Sequence, residues 1–235
     1  MRMETNAIAN LAEQYSDKPI VRSLLQLIPG WGIADTLLQQ RVNEIRSERL
    51  KIFFNELADG KHELNEELIK SEDFLHSYFC TIKAVINTRQ REKIRLLARL
   101  LDASIEADAS SCPDEYEELL SVLDSISLRE FKALVELFRL ENKNPRGDSE
   151  NELQNALGYW GHFRAHVIEL IGVPESSFTA FMAKIERTGL YLRITGGYLD
   201  YAGDIGRTTE LFRRLLQFVE EKSPNVLNQP TAVVG

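Results

Sequence analysis

Two histidines in this sequence have the spacing of metal ligands. His162 and His166 stand four residues apart in GHFRAH, so on a helix both imidazoles would lie on one face, as two ligands of a zinc ion do. A third ligand is not evident, and no glutamate follows His162 to complete the metalloprotease motif. Histidines flanked by Trp160, Phe163 and Val167 are more often packing residues. We therefore expect no metal site here.

A row of arginines could bind an anion. Arg91, Arg95 and Arg99 follow one another at intervals of four in RQREKIRLLARLLD, so a helix would align them on one face, where they could hold phosphate. The sequence favours a second interpretation, a solvated ridge paired with acidic side chains of neighbouring helices. The acids considered for that pairing include Glu66, Glu67, Glu72 and Asp73.

Signatures of catalysis are missing. The turn Gly30-Trp31-Gly32 lacks the Lys-Ser/Thr pair of a phosphate-binding loop, and we find no nucleophile elbow or catalytic pair of carboxylates. Cys80 and Cys112 lack metal-type spacing, and so few cysteines are typical of a protein of the reduced cytosol. We expect a cytoplasmic protein with no enzyme activity and no cofactor. An enzyme or a membrane-active toxin remains a lesser alternative.

The clearest order of elements lies in the carboxyl-terminal half. Ser127-Leu-Arg-Glu130 is a capping box and predicts the start of a helix. Residues 172–219 then predict a helix, a tight β-hairpin and another helix, which is the order of elements in a winged helix. A winged helix serves DNA binding, protein docking and structural packing alike, so this fold would not settle the function.

The helix before the hairpin predicts one buried face and one face for a partner. Four apolar residues at helical spacing form the buried face: Phe178, Phe181, Met182 and Ile185. The opposite face, together with one hairpin residue, supplies our candidate residues for binding a partner or nucleic acid. These candidates are Ser177, Thr179, Ala180, Lys184, Arg187 and Arg193.

The hairpin sequence predicts a specific register. If Gly196-Gly197 forms a two-residue turn, Arg193 lies opposite Asp200 and Leu192 lies opposite Tyr201. The inward face would then be entirely apolar, and Arg193 and Asp200 would pair on the outside. The predicted inward residues are Leu190, Leu192, Ile194, Leu199 and Tyr201.

Charge argues against nucleic acid as the partner. The formal net charge is -8; residues 1–124 contain 15 basic and 22 acidic residues, and residues 125–235 contain 13 and 14. The half with the winged-helix pattern is therefore near neutral, whereas DNA-binding domains are usually basic. At the N-terminal end of the helix, where side chains usually contact the bases, the candidate face has only small residues and lacks the Arg, Lys, Asn or Gln that such contacts need. We expect docking to a protein partner or to a second copy. The alternative is a DNA-binding regulator that uses Lys184, Arg187, Arg193 and Arg207.

The first half of the chain predicts a helical bundle. Together with the winged-helix pattern of the second half, this gives an expected fold class that is mainly α and contains one short two-stranded β-hairpin. Four or five amphipathic helices follow one another in residues 1–107. Residues 108–126 predict a loop and a bridging helix, residues 127–222 the winged-helix domain, and residues 223–235 a flexible tail.

Membrane insertion and export are not indicated by the sequence. Residues 19–38 contain Arg22, Gln26, Pro29 and Asp35, which interrupt the apolar run that a spanning helix requires. The segment from Ile20 to Ile28 could lie on a membrane surface, but a buried helical hairpin is favoured. Residues 1–18 contain acids and amides where a signal peptide would be apolar, so we expect no export signal.

The order of these segments resembles that of a known family. PGWGIAD is followed by the long charged helix NEIRSERLKIFFNEL, by a helix that begins with SEDF, by the basic helix RQREKIRLLARLLDAS, and then by LDSISLREFKALVELF before the winged helix. This layout is similar to that of bacterial Abi-alpha-type abortive-infection proteins, over roughly residues 20–215. The resemblance implies a cytoplasmic bacterial protein that acts in phage defence through binding. It transfers no catalytic residue.

Overall fold

The chain forms a mainly helical protein with one small sheet. The computed structural model describes residues 13–28, 37–60, 64–106, 113–145, 151–194 and 203–220. Contacts divide the chain into two compact units, unit 1 at residues 1–121 and unit 2 at residues 122–235. This boundary falls inside the segment predicted to bridge the two halves. The finer domain limits drawn from the sequence stay predictions.

Unit 1 is built from helices, and in the longest of them Val42 and Ile45 are exposed although the hydrophobic spacing predicts that they are buried. Among the described residues, the longer helices that begin in unit 1 are α1 Pro19–Gln26, α2 Leu37–Ala58, α3 Glu72–Asn87, α4 Arg91–Glu106 and α5 Pro113–Ser125. Ser71 caps α3 by accepting a bond from the backbone N–H of Phe74 at 3.3 Å. Residues 88–90 join α3 to α4, so the two helices are antiparallel neighbours.

Helices α2 and α4 run parallel to one another. Arg91 of α4 pairs with Glu48 of α2, and Arg99 pairs with Glu56, so both helices advance by eight residues between the two ion pairs. Fully buried apolar side chains fill the space between the helices of unit 1, among them Phe53, Phe54, Tyr78, Ile82, Ile94 and Leu97. The Tyr78 hydroxyl donates to the backbone carbonyl of Leu24 at 2.7 Å and so anchors α1 to α3.

Unit 2 combines four helices with a two-stranded antiparallel sheet in its described part. The elements are α6 Leu128–Lys143, α7 Glu152–Glu169, α8 Phe178–Glu186, β1 Tyr191–Arg193, β2 Gly206–Thr208 and α9 Glu210–Glu220. The predicted capping box is confirmed, because Ser127 and Glu130 exchange both of its hydrogen bonds at the start of α6. Phe178, Met182 and Ile185 of α8 are buried as predicted, and Phe181 is half-buried.

The hairpin register predicted from the sequence is wrong. Arg193 lies opposite Gly206 and Leu192 opposite Arg207, six residues beyond the partners that a Gly196-Gly197 turn would give. Gly196, Gly197, Leu199, Asp200 and Tyr201 lie outside the described residues. Leu192 is also 48% exposed and does not point inward. The inward position at this point of β1 belongs instead to Tyr191, which is 2% exposed.

Tyr191 and Gly206 explain why this register is adopted. A Cβ on Gly206 would overlap the Tyr191 ring and the Leu192 carbonyl, so the ring occupies space that only glycine leaves open. The Tyr191 hydroxyl also donates to the backbone carbonyl of Asp204. Burial of the tyrosine ring with its hydroxyl paired stabilises the observed register.

Candidate functional site

The arginine row of α4 is paired within unit 1. The Arg99 Nε lies 2.7 Å from Oε1 of Glu56, Arg95 lies 3.8 Å from Oε2 of the same residue, and Arg91 pairs with Glu48. The Arg99 side chain is only 10% exposed, so it offers little surface to an anion. The arginines are paired, as the favoured interpretation expects, but the expected solvation of the ridge does not hold at Arg99.

The acids of that ridge differ from the ones considered in the sequence. Glu48 and Glu56 belong to α2, and they reach α4 because the two helices are in contact along their length. Glu66 pairs instead with Lys70, four residues along, at 3.0 Å. The spacing of residues within one helix does not reveal which other helix lies beside it. The acids that pair with the arginines of α4 therefore could not be predicted from the sequence around those arginines.

The N-terminal end of α8 presents small, exposed residues. Ser177, Thr179 and Ala180 are exposed, as predicted for the candidate face. The Thr179 hydroxyl donates to Oδ2 of Asp204 at 2.6 Å, which connects α8 to the chain just before β2. The Ser177, Thr179 and Ala180 side chains themselves carry no charge, and Glu175, next to them in the chain, forms an exposed ion pair with Arg164.

Lys184 is paired with a buried carboxylate. Its Nζ lies 2.7 Å from Oε1 of Glu130, whose side chain is 3% exposed. Burial raises the pKa of Glu130, but the hydrogen bonds from Lys184 and Ser127 and the charge of Lys184 outweigh that effect, and the pKa lies below its ordinary value of 4.5. Glu130 is therefore ionised at neutral pH and balances the charge of Lys184.

Arg193 is held by two carboxylates. Its guanidinium lies 2.9 Å from Oε2 of Glu186 and 3.5 Å from Oδ1 of Asp204. The sequence predicted a cross-strand acid for Arg193 but named Asp200, because the register was set six residues too early. Arg187, the third cation of the candidate face, is exposed.

Glu141 is a residue of this unit that sequence reasoning missed. Its Oε1 accepts from the backbone N–H of Thr208 at 2.7 Å, and its Oε2 accepts from the Thr208 hydroxyl. In the observed register the Thr208 N–H points away from β1, so the carboxylate takes the place of a neighbouring strand at that edge. Burial raises the pKa of Glu141, and the two Thr208 bonds and the nearby Arg213 and Arg207 only partly oppose it.

The described residues contain no group of three or more His, Cys, Asp or Glu side chains that could hold a metal ion. His162 is exposed, and Nδ1 of His166 lies 3.8 Å from Oε1 of Glu136. The two histidines are thus not gathered with further ligands by the part of unit 2 that the structure describes.

Unit 1 brings together a thiol, an imidazole and a carboxylate that the sequence did not connect. Nε2 of His76 lies 2.9 Å from Oε1 of Glu117 and 3.6 Å from Sγ of Cys80. Both contacts use the same ring nitrogen, whereas a catalytic triad engages its acid and its nucleophile through different nitrogens. Glu117 therefore competes with Cys80 for His76, and the arrangement lacks the geometry of a triad.

The chain matches no protein-family model, and no curated protein or solved structure is similar to it at a significant level. The winged-helix arrangement and the resemblance to Abi-alpha-type proteins accordingly stay predictions from the sequence. Within the described ranges, each helix is too short or too polar to cross a membrane.

Proposed function

We propose that this chain is a non-catalytic interaction protein in which a helical bundle carries a winged helix that docks a protein partner or a second copy of the chain. The observation that carries the proposal is the pairing of Lys184 and Arg193 with carboxylates of their own unit. The helix order of unit 2 and the antiparallel pairing of β1 with β2 support the winged-helix element of the proposal.

The paired cations favour a protein partner over DNA. Affinity for DNA depends mainly on phosphates neutralised by Lys and Arg, and each contact contributes about 0.9 to the salt slope of binding. Two of the three cations on the candidate face, Lys184 and Arg193, already have carboxylate partners, which leaves Arg187 as the exposed cation of the face.

A mass measurement and a DNA titration test this proposal together. Light scattering after size-exclusion chromatography at micromolar concentration reports self-association, and co-purification reports a different partner. We expect a dimer or a recovered partner, and no shift of duplex DNA at low salt. A strictly monomeric chain that recovers no partner would contradict docking. Tight DNA binding that is lost with Lys184→Ala and Arg187→Ala would favour the regulator instead.

The family resemblance supports a role in bacterial phage defence for this docking protein, in the cytoplasm. Cells that express the chain should show a lower efficiency of plating for at least one phage than cells that express a docking-face variant such as Ala180→Arg. Equal plating by both across a broad phage panel, at matched protein levels, would contradict the defence role. It would leave docking to be judged by the mass and co-purification measurements.

A further inference from the structure

The charges on the candidate face of unit 2 balance one another. Three cations, Lys184, Arg187 and Arg193, are accompanied by three carboxylates, Glu130, Glu186 and Asp204. Each of these acids lies within 4 Å of a candidate cation. Positive and negative charges are therefore equal in number at the face itself, and the near-zero net charge is not only a property of the whole unit.

Two of the three carboxylates cannot turn away from this face into solvent. The side chain of Glu130 is 3% exposed and that of Asp204 is 12% exposed, and each accepts a further hydrogen bond, from Ser127 or from Thr179. A cation that left either acid for a phosphate would leave a buried charge without its partner, which proteins tolerate poorly. The third acid, Glu186, is the most exposed of the three and holds Arg193 at 2.9 Å.

We infer that Glu130, Glu186 and Asp204 are specificity-determining residues that exclude polyanions from the docking face by occupying two of its three cations, Lys184 and Arg193. The inference rests on the proposed docking function and names what that face rejects. A phosphate backbone would have to displace the carboxylates from Lys184 and Arg193 and would also be repelled by them. A protein partner with a neutral or apolar surface meets neither obstacle.

Amide substitutions test the inference because they remove charge while preserving shape. The variant is E130Q/E186Q/D204N, in which glutamine at position 130 can still complete the capping box and asparagine at position 204 can still accept from Thr179. The control is E67Q/E118Q/E169Q, which changes the net charge equally at exposed acids elsewhere. The probe is a DNA duplex of about 20 base pairs, titrated at about 50 mM salt and again at higher salt.

The expected result is a gain in DNA affinity of about tenfold or more for the first variant alone, with a salt dependence steeper by about two phosphate contacts. Adding K184A and R193A to that variant should abolish the gain. If the triple variant does not fold by circular dichroism, E186Q/D204N leaves the capping box untouched and should still show a smaller gain.

Two results would overturn the inference. An equal gain in the control would mean that overall charge decides, and no gain in either folded variant would mean that the carboxylates exclude nothing. Neither result bears on whether the chain docks a protein. Tight DNA binding by the unmodified chain would overturn the inference and the docking proposal together.

Discussion

The Lys184 ammonium lies 2.7 Å from the Glu130 carboxylate, which also closes the capping box of α6. Lys184, which the sequence analysis assigned to partner binding, therefore stabilises the buried charge of Glu130 in its own unit. Lys184→Ala should lower the free energy of unfolding by about 1–3 kcal/mol, because it leaves the buried Glu130 carboxylate without its cation. Urea denaturation measures this change. Arg187→Ala, at an exposed site on the same face, should change it by less than about 0.5 kcal/mol; equal losses would contradict the role of the pair.

The lowered pKa of Glu130 predicts a loss of stability in acid. The contribution of its carboxylate is fully present above the unfolded pKa of 4.5 and is lost as the pH falls through the lower folded pKa. The stability difference between the parent and Glu130→Gln should therefore be at its full size at neutral pH. It should shrink as the pH falls below 4.5. Denaturation at several pH values provides the measurement, and a difference independent of pH would count against ionised Glu130.

Glu141 should show the opposite dependence. Because its folded pKa is raised, its contribution to stability is fully present below 4.5 and is lost as the pH rises through the folded value. Glu141→Gln should consequently gain stability relative to the parent as the pH rises, since the amide can still accept from the Thr208 N–H. Glu141→Ala, which leaves that N–H without its acceptor, should be less stable than Glu141→Gln at neutral pH. Equal stability of the two variants would contradict the edge-capping role.

Gly206 should be intolerant of a side chain. A Cβ there overlaps the Tyr191 ring and the Leu192 carbonyl, so Gly206→Ala should cost about 1–3 kcal/mol of stability through overpacking. Gly158→Ala is the matched control, because no atom lies within 4 Å of its Cβ position inside α7. That change should stabilise the protein by about 0.5–1 kcal/mol. Thermal denaturation of the two variants gives the comparison, and a Gly206→Ala protein as stable as the parent would refute the register.

Local features of this fold could be predicted from the sequence, whereas pairings between distant residues could not. The capping box of α6 depends on Ser127 and Glu130, three residues apart, and the structure confirms it. The hairpin register depends on Tyr191 fitting against Gly206, and the glycine pair at 196–197 gave a stronger local pattern for a different register. Similarly, the arginine row of α4 was predicted to be paired, but its acids lie on α2, about forty residues away.

The candidate site shows the same division between local and distant information. Exposure of Ser177, Thr179 and Ala180 followed from the apolar spacing of α8, which fixes its buried face. The pairing of Lys184 was not predicted, and Arg193 was predicted to pair with Asp200 instead of Asp204, because Glu130 and Asp204 reach these cations from other elements of unit 2. No local motif in the sequence marks Glu141 as the residue that caps β2.

The central claim is that the end of α8 formed by Ser177, Thr179 and Ala180 docks a protein, and a bulky substitution at Ala180 tests this claim most directly. Ala180→Arg and the control Ala165→Arg both place an arginine at an exposed helical position of unit 2. We expect the dimer or the co-purified partner to persist with Ala165→Arg and to be lost with Ala180→Arg, both variants melting like the parent. Retention of the complex by folded Ala180→Arg, or its equal loss in both variants, would contradict docking through this face.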